Sequence, residues 1–178
     1  MSDYKIIFSG PVGAGKTTAI QTISDIPPVT TDEQASDMTR SQKNGTTVAM
    51  DYGMINLPGA ERIHLYGTPG QERFDFMWEI LTQGGIGLVL LINNQRPDPF
   101  GDLHFFLNAF KDFIGQGKLV IGVTQMDLAD TPMIEDYHLQ LENSGVKIPV
   151  FDIDARIKKD VSLLLEALLY SLDPGLDD

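Results

Sequence analysis

Short apolar runs alternate along the chain with stretches whose apolar residues recur at helical spacing. Tyr4–Ser9, Arg62–Tyr66, Ile86–Asn93, Lys118–Thr124 and Ile148–Asp152 read as strands, and Thr47–Leu57 is a further candidate. Helical spacing covers Gly15–Asp25, Glu72–Gln83, Asp102–Ile114, Pro132–Asn143 and Val161–Leu172. The run Ile86-Gly87-Leu88-Val89-Leu90-Leu91-Ile92 is apolar at consecutive positions, which marks a central parallel strand covered on both faces. Repeated strand–helix units predict an α/β fold, a doubly wound, mostly parallel sheet with helices on both faces. In such sheets ligands lie beyond the carboxyl ends of the strands. The stretch Ile26–Gly45 is poor in apolar residues and contains Pro27-Pro28. A connection of that length in a compact domain suits a switching loop. In the last helix Leu163, Leu164, Leu165, Leu168, Leu169 and Leu172 form the expected core face.

The chain has 178 residues, 42% of them apolar, enough for one sizeable core, so residues 1–172 are expected to form a single domain and Asp173–Asp178 a short acidic tail. A formal charge of −12 argues against a nucleic-acid partner, whose phosphates need clustered Lys and Arg. No apolar run approaches the ~20 residues that span a bilayer, and no signal-peptide pattern opens the sequence, so a cytoplasmic location is expected. The absence of cysteine removes disulfides and prenyl or palmitoyl attachment, and Met1-Ser2 offers no myristoylation site. No direct lipid anchor is therefore expected.

The chemistry is concentrated in Gly10-Pro11-Val12-Gly13-Ala14-Gly15-Lys16-Thr17, which lies between the first strand and the first helix. This is the G-x-x-x-x-G-K-[ST] pattern in the strand–loop–helix setting it requires. Glycines allow successive backbone N–H groups to turn inward as an anion nest, and the following helix aims its positive end at the same point. Lys16 would reach the β- and γ-phosphates and Thr17 would give its hydroxyl to Mg²⁺. The pattern implies a nucleoside triphosphate ligand, with Gly10, Val12, Gly13, Ala14, Gly15, Lys16, Thr17 and Thr18 around it. His64, His104 and His138 have no second ligand at metal spacing and read as structural or solvent-facing.

Together with the phosphate loop, Thr47, Gly67-Thr68-Pro69-Gly70-Gln71-Glu72-Arg73-Phe74, Thr124-Gln125-Met126-Asp127 and Asp154-Ala155-Arg156 fall in an order and spacing that resemble the Ras-like small GTPases over almost the whole chain. Ile92-Asn93-Asn94 also looks like that superfamily. Pro69 and the run Thr46-Thr47-Val48-Ala49-Met50-Asp51-Tyr52 resemble the bacterial and archaeal MglA-type members more closely. The resemblance implies a P-loop NTPase with a Ras-like G domain that binds GTP and GDP with Mg²⁺ and hydrolyses GTP slowly as a molecular switch.

By the same resemblance Thr47, with Thr46 as a rival, would close over Mg²⁺ and the γ-phosphate. Gly70 would meet that phosphate through its N–H, and Gln71 would orient the attacking water. Gln71, Lys16 and Thr47 are thus the implied catalytic residues, and Thr17 and Thr47 the metal ligands. Thr124, Gln125, Asp127, Ala155 and Arg156 would surround the base, with Asp127 accepting two hydrogen bonds from guanine and the Ala155 N–H reaching its oxygen. Asp127 as a helix N-cap is the alternative. Implied partners are a roadblock-type regulator or another GTPase-activating protein, and an effector at Phe74–Leu81, whose apolar residues Phe74, Phe76, Met77, Trp78, Ile80 and Leu81 occupy more than one helical face.

Two positions depart from the family pattern. Gly67 stands where most Ras-like proteins have an aspartate behind the magnesium's water shell. Asp51 is the nearby carboxylate that could substitute, against its reading as a solvated strand residue. Thr124 and Gln125 replace the first two residues of Asn-Lys-x-Asp, which predicts guanine preference at reduced affinity. Two other functions compete: a GTP-holding scaffold without useful hydrolysis, and an ATP-using P-loop enzyme such as a small-molecule kinase. Against the kinase stands the lack of an arginine-rich lid segment and of a second substrate motif.

Overall fold

The computed structural model describes residues 2–30, 51–68 and 83–172. Among these residues seven strands form one sheet in the order β2-β3-β4-β1-β5-β6-β7. They are β1 (Asp3–Ser9), β2 (Val29–Thr30), β3 (Asp51–Asn56), β4 (Arg62–Gly67), β5 (Gly87–Asn93), β6 (Leu119–Thr124) and β7 (Val150–Asp152). β1 pairs in parallel with β4 and β5, β5 with β6, and β6 with β7. The β2–β3 and β3–β4 pairs are antiparallel. The doubly wound, mostly parallel sheet anticipated from the apolar pattern is the observed architecture.

Five α-helices accompany these strands among the described residues: α1 (Lys16–Ile23), α2 (Pro99–Ala109), α3 (Lys111–Gly115), α4 (Ile134–Asn143) and α5 (Lys158–Leu172). Every residue of β5 and β6 is buried, because apolar side chains on both faces have helices to meet. One core joins Ile6, Phe8, Val89 and Val120 to Ile20 of α1 and to Leu164 and Leu168 of α5. The other joins Ile7, Leu90 and Ile121 to Leu103 and Phe106 of α2 and Tyr137 of α4. Glycines let α5 lie close to the sheet. A β-carbon on Gly87 would stand 2.7 Å from Leu168 Cδ2, and one on Gly122 would stand 2.8 Å from Leu164 Cδ1.

Several boundaries differ from the sequence reading. The expected helix Asp102–Ile114 starts earlier, at Pro99, where proline's missing N–H costs nothing and the Asp98 carboxylate accepts from the Gly101 N–H. It then divides at Phe110 into α2 and α3. α5 begins at Lys158, and Leu163 and Leu169 lie exposed on it while Leu164, Leu165 and Leu168 carry the packing. β2 is a two-residue edge within the stretch read as a loop. The expected helix Glu72–Gln83, the Phe74–Leu81 segment and the acidic tail lie essentially or wholly outside the described residues.

Candidate nucleotide site

The phosphate loop leaves the carboxyl end of β1 and enters α1. Gly10, Gly13 and Gly15 have φ of 141°, 78° and 97°, values open to glycine and strained for other residues. Gly10 is also a close approach, since a β-carbon there would overlap the Leu91 carbonyl oxygen of β5 at 2.0 Å. The Lys16 ammonium is buried inside the loop and donates to the Gly10 and Pro11 carbonyls at 2.6 and 2.8 Å. Desolvation is the chief reason its pKa falls to about 8, opposed by the nearby Asp51 carboxylate and reinforced by Arg96. Arg96 is itself tied to Asp102 at the start of α2.

Side chains from the next two strand ends hold the loop in shape. Asn93, the last residue of β5, donates from Nδ2 to the Gly13 carbonyl at 3.0 Å, and Thr124, the last of β6, donates from Oγ1 to the Ala14 carbonyl at 2.9 Å. Gln125 adopts the left-handed conformation, φ 60° and ψ 30°. Its side chain crosses back to give Nε2 to the Gly13 carbonyl at 3.2 Å, while Gln95 holds its backbone oxygen at 3.1 Å. A non-glycine residue in that region costs conformational energy, which is spent where the fold overdetermines it, at this site. Thr124 and Gln125 therefore fasten the loop despite departing from the family pattern. Asn93 has the same task and was not assigned one from sequence, although a buried asparagine ending a wholly apolar strand is a visible signal.

A cavity of about 390 Å³ opens beside this fastening. Ala14, Gly15 and Thr18 line its phosphate side, Thr124, Gln125, Asp127 and Leu128 one wall, and Ile153 to Arg156 the other. Asp127 sits inside a short 3₁₀ turn, Met126–Leu128, so it is not a helix N-cap. The opposite wall is braced by the Thr22 hydroxyl, which donates to the Ala155 carbonyl at 2.7 Å. Arg156 folds onto Asp154 through its backbone N–H at 2.9 Å and its guanidinium at 2.7 Å, and these bonds hold the Asp154 carboxyl down near a pKa of about 2. Gly10, Val12, Gly13, Ala14, Gly15, Lys16, Thr17, Thr18, Thr124, Gln125, Asp127, Ala155 and Arg156 thus meet at one end of the sheet. Thr47, Gly70 and Gln71 lie outside the described residues.

The Gly67 departure has a structural counterpart. Asp51, the first residue of β3, is paired directly across the ladder with Gly67, the last of β4. Its Oδ2 accepts from the Thr17 hydroxyl at 2.5 Å. Asp51 is half-buried and not the solvated strand residue that its sequence position suggested. Hydroxyl and carboxylate oxygens suit Mg²⁺, which binds through one or two protein oxygens plus phosphate oxygens. Among the described residues no cluster of three or more His, Cys, Asp or Glu could hold a metal ion unaided. His64 packs its Nδ1 on the Tyr52 hydroxyl at 2.7 Å and His104 pairs with Gln140 at 2.9 Å, both away from this end of the sheet.

Residues 28–171 match the profile of a family described as conserved hypothetical ATP binding protein. The chain belongs to that family. The matched span begins after the phosphate loop. An uncharacterized protein of Methanocaldococcus jannaschii is 32% identical over 90 residues, covering 50% of this chain, and the chain spans about half, 51%, of that relative's length. The Ras-related protein RabC of Dictyostelium discoideum is 20% identical over 176 residues, 96% of this chain and 84% of RabC. Among solved structures, a bacterial selenocysteine-specific elongation factor, EF-Sec, superposes over 98% of this chain with a TM-score of 0.66 at 20% identity, and the chain corresponds to 30% of that protein. At that identity the likeness concerns the fold, which is that of the P-loop nucleotide-binding proteins. Among the described residues no helix is long and apolar enough to cross a membrane.

Proposed function

We propose that this nucleotide-binding P-loop protein is a guanine-nucleotide switch that hydrolyses GTP slowly. The observation that carries the reading is the position of Asp127 on the wall of the cavity beside the phosphate loop. A carboxylate there accepts from two donors, and guanine presents two on its N1–N2 edge while adenine presents none. The loop's N–H groups and Lys16 would hold the phosphates, and Thr17 Oγ1, which gives its proton to Asp51 Oδ2, would offer its lone pairs to the metal. Mg²⁺, where bound, supplies neutralisation of charge between the β- and γ-phosphates. Thr47, Gly70 and Gln71 act on the γ-phosphate side by the Ras-like resemblance, with Gln71 orienting the attacking water.

The MglA-type likeness extends the proposal to partners: a roadblock-type or other GTPase-activating regulator, and an effector that binds the Phe74–Leu81 segment. A second reading, ATP use, is favoured by the description of the family to which the chain belongs. Equilibrium competition between guanine and adenine nucleotides separates the two readings.

Hydrolysis is the test of the switch. Val12 is 54% exposed at the crest of the loop, where a branched side chain narrows the approach of a catalytic glutamine or a partner's arginine to the γ-phosphate. Val12→Gly is expected to raise basal or regulator-stimulated single-turnover hydrolysis. Gln71→Leu is expected to lower it while sparing GTP affinity, since orientation of water serves the transition state alone. Rates unchanged by Val12→Gly would remove the steric explanation for slow turnover. A protein that holds GTP without turnover, with or without a regulator, would be a scaffold and not a switch.

A further inference from the structure

We propose that Asp51 on β3 supplies the magnesium-site carboxylate that Gly67 on β4 cannot, so that this chain builds its metal site from the neighbouring strand. The inference rests on the nucleotide-binding reading of the loop and goes beyond it in assigning the metal's protein partner.

The cross-strand register makes the exchange possible. Asp51 and Gly67 are direct antiparallel partners at the end of the ladder where Asp51 meets Thr17 of α1. A β-carbon added to Gly67 would stand 3.1 Å from Asp51 Cβ and 3.2 Å from Asp51 Oδ2, with Ile20 Cδ1 also at 3.2 Å. Those distances are tighter than ordinary contacts. The Asp51 carboxylate therefore fills the space that a side chain at position 67 would enter, and glycine at 67 is what makes room for it. The two positions are alternatives for one carboxylate.

The orientation of Thr17 gives the carboxylate its task. The hydroxyl donates its one proton to Asp51 Oδ2, which leaves the lone pairs of Oγ1 available to a cation on the phosphate side of the loop. Asp51 then fixes the ligand's orientation, as outer-shell carboxylates do for metal ligands, and its charge balances a divalent ion. Asp51 also acts favourably on the Lys16 ammonium, which places its charge within electrostatic reach of the phosphate-binding end. The antiparallel β3–β4 pair thus carries a function that its strand positions alone do not disclose.

Asp51→Asn is the test, because it keeps the shape and a hydrogen-bond acceptor for Thr17 while removing the charge. Dissociation constants for fluorescent GDP are measured with EDTA and with millimolar Mg²⁺ for the parent, for Asp51→Asn and for the double variant Asp51→Gly with Gly67→Asp. Without metal, Asp51→Asn should bind as tightly as the parent or more tightly, since a negative charge near the phosphates is gone. With Mg²⁺ the parent should tighten by about tenfold or more and Asp51→Asn by much less, because an ion held chiefly by phosphate has lost its protein counter-charge. Returning the carboxylate to position 67 in the double variant should restore part of the magnesium response. A merely structural role would weaken binding in both conditions alike and leave the magnesium ratio at the parent's value, and that result overturns the proposal. If the parent binds no nucleotide in either condition, the nucleotide reading itself fails and the metal assignment falls with it.

Discussion

Lys16→Ala is expected to weaken triphosphate binding by about a hundredfold or more, the scale of losing charge-assisted hydrogen bonds to phosphate oxygens in a site shielded from water. The fold should survive. Lys16 is 8% exposed, its ammonium is satisfied by the loop's Gly10 and Pro11 carbonyls, and desolvation, the largest effect on it, pulls the pKa down to about 8. A lysine whose pKa is lowered in the native state disfavours folding while it stays protonated. That cost is fully present below about pH 8 and fades as pH rises toward the unfolded value of 10.5. The alanine variant should therefore unfold at an equal or higher temperature at pH 7, while losing labelled GTP. Parent-like GTP affinity would show that Lys16 is not at the phosphates, and a collapsed unfolding transition would show that its bonds to the loop are structural.

Asp127→Asn is expected to cost about 2–4 kcal/mol of GDP binding, roughly thirtyfold to a thousandfold in the dissociation constant. The amide keeps one acceptor but points a donor at one of guanine's donors, so one hydrogen bond is replaced by a repulsive contact. Asp127 is exposed on its 3₁₀ turn, and the full cost arises only when a base covers it and excludes water. ADP affinity should change little. The readout is the GDP/ADP affinity ratio, which should fall steeply in the variant. An unchanged ratio would remove Asp127 from base recognition and leave the cavity without a basis for discrimination.

Much of this architecture can be read from the chain, and the exceptions have physical causes. The apolar run ending at Asn93 betrays a doubly covered strand because burial on both faces leaves no polar position. The break at Phe110 is silent, since Leu103, Phe106, Phe110 and Ile114 continue one helical stripe across it. Pro99 and Gly101 look like breakers and in fact open α2, because capping by Asp98 decides the start. β2 is too short to leave a periodic signal.

At the site, residue type was legible and reach was not. Thr124 and Gln125 look like losses of a binding motif in the sequence, whereas in the fold they bond to the Ala14 and Gly13 carbonyls. The meeting of Asp51 with Thr17 joins residues 34 positions apart and depends on where the antiparallel β3–β4 register sets Asp51, which local pattern does not encode. Thr47, Gly70 and Gln71 fall outside the described residues, so their roles rest on the Ras-like resemblance.

Displacement of labelled GDP by unlabelled GTP and by unlabelled ATP, titrated over the same range with Mg²⁺, tests the central claim most directly. The carboxylate on the cavity wall predicts displacement by GTP at concentrations at least about a hundredfold below those of ATP, the discrimination that a site built to pair with guanine's donors provides. Equal displacement by the two nucleotides would show no discrimination between the bases and stronger displacement by ATP would show an adenine preference, and either result would contradict the guanine reading.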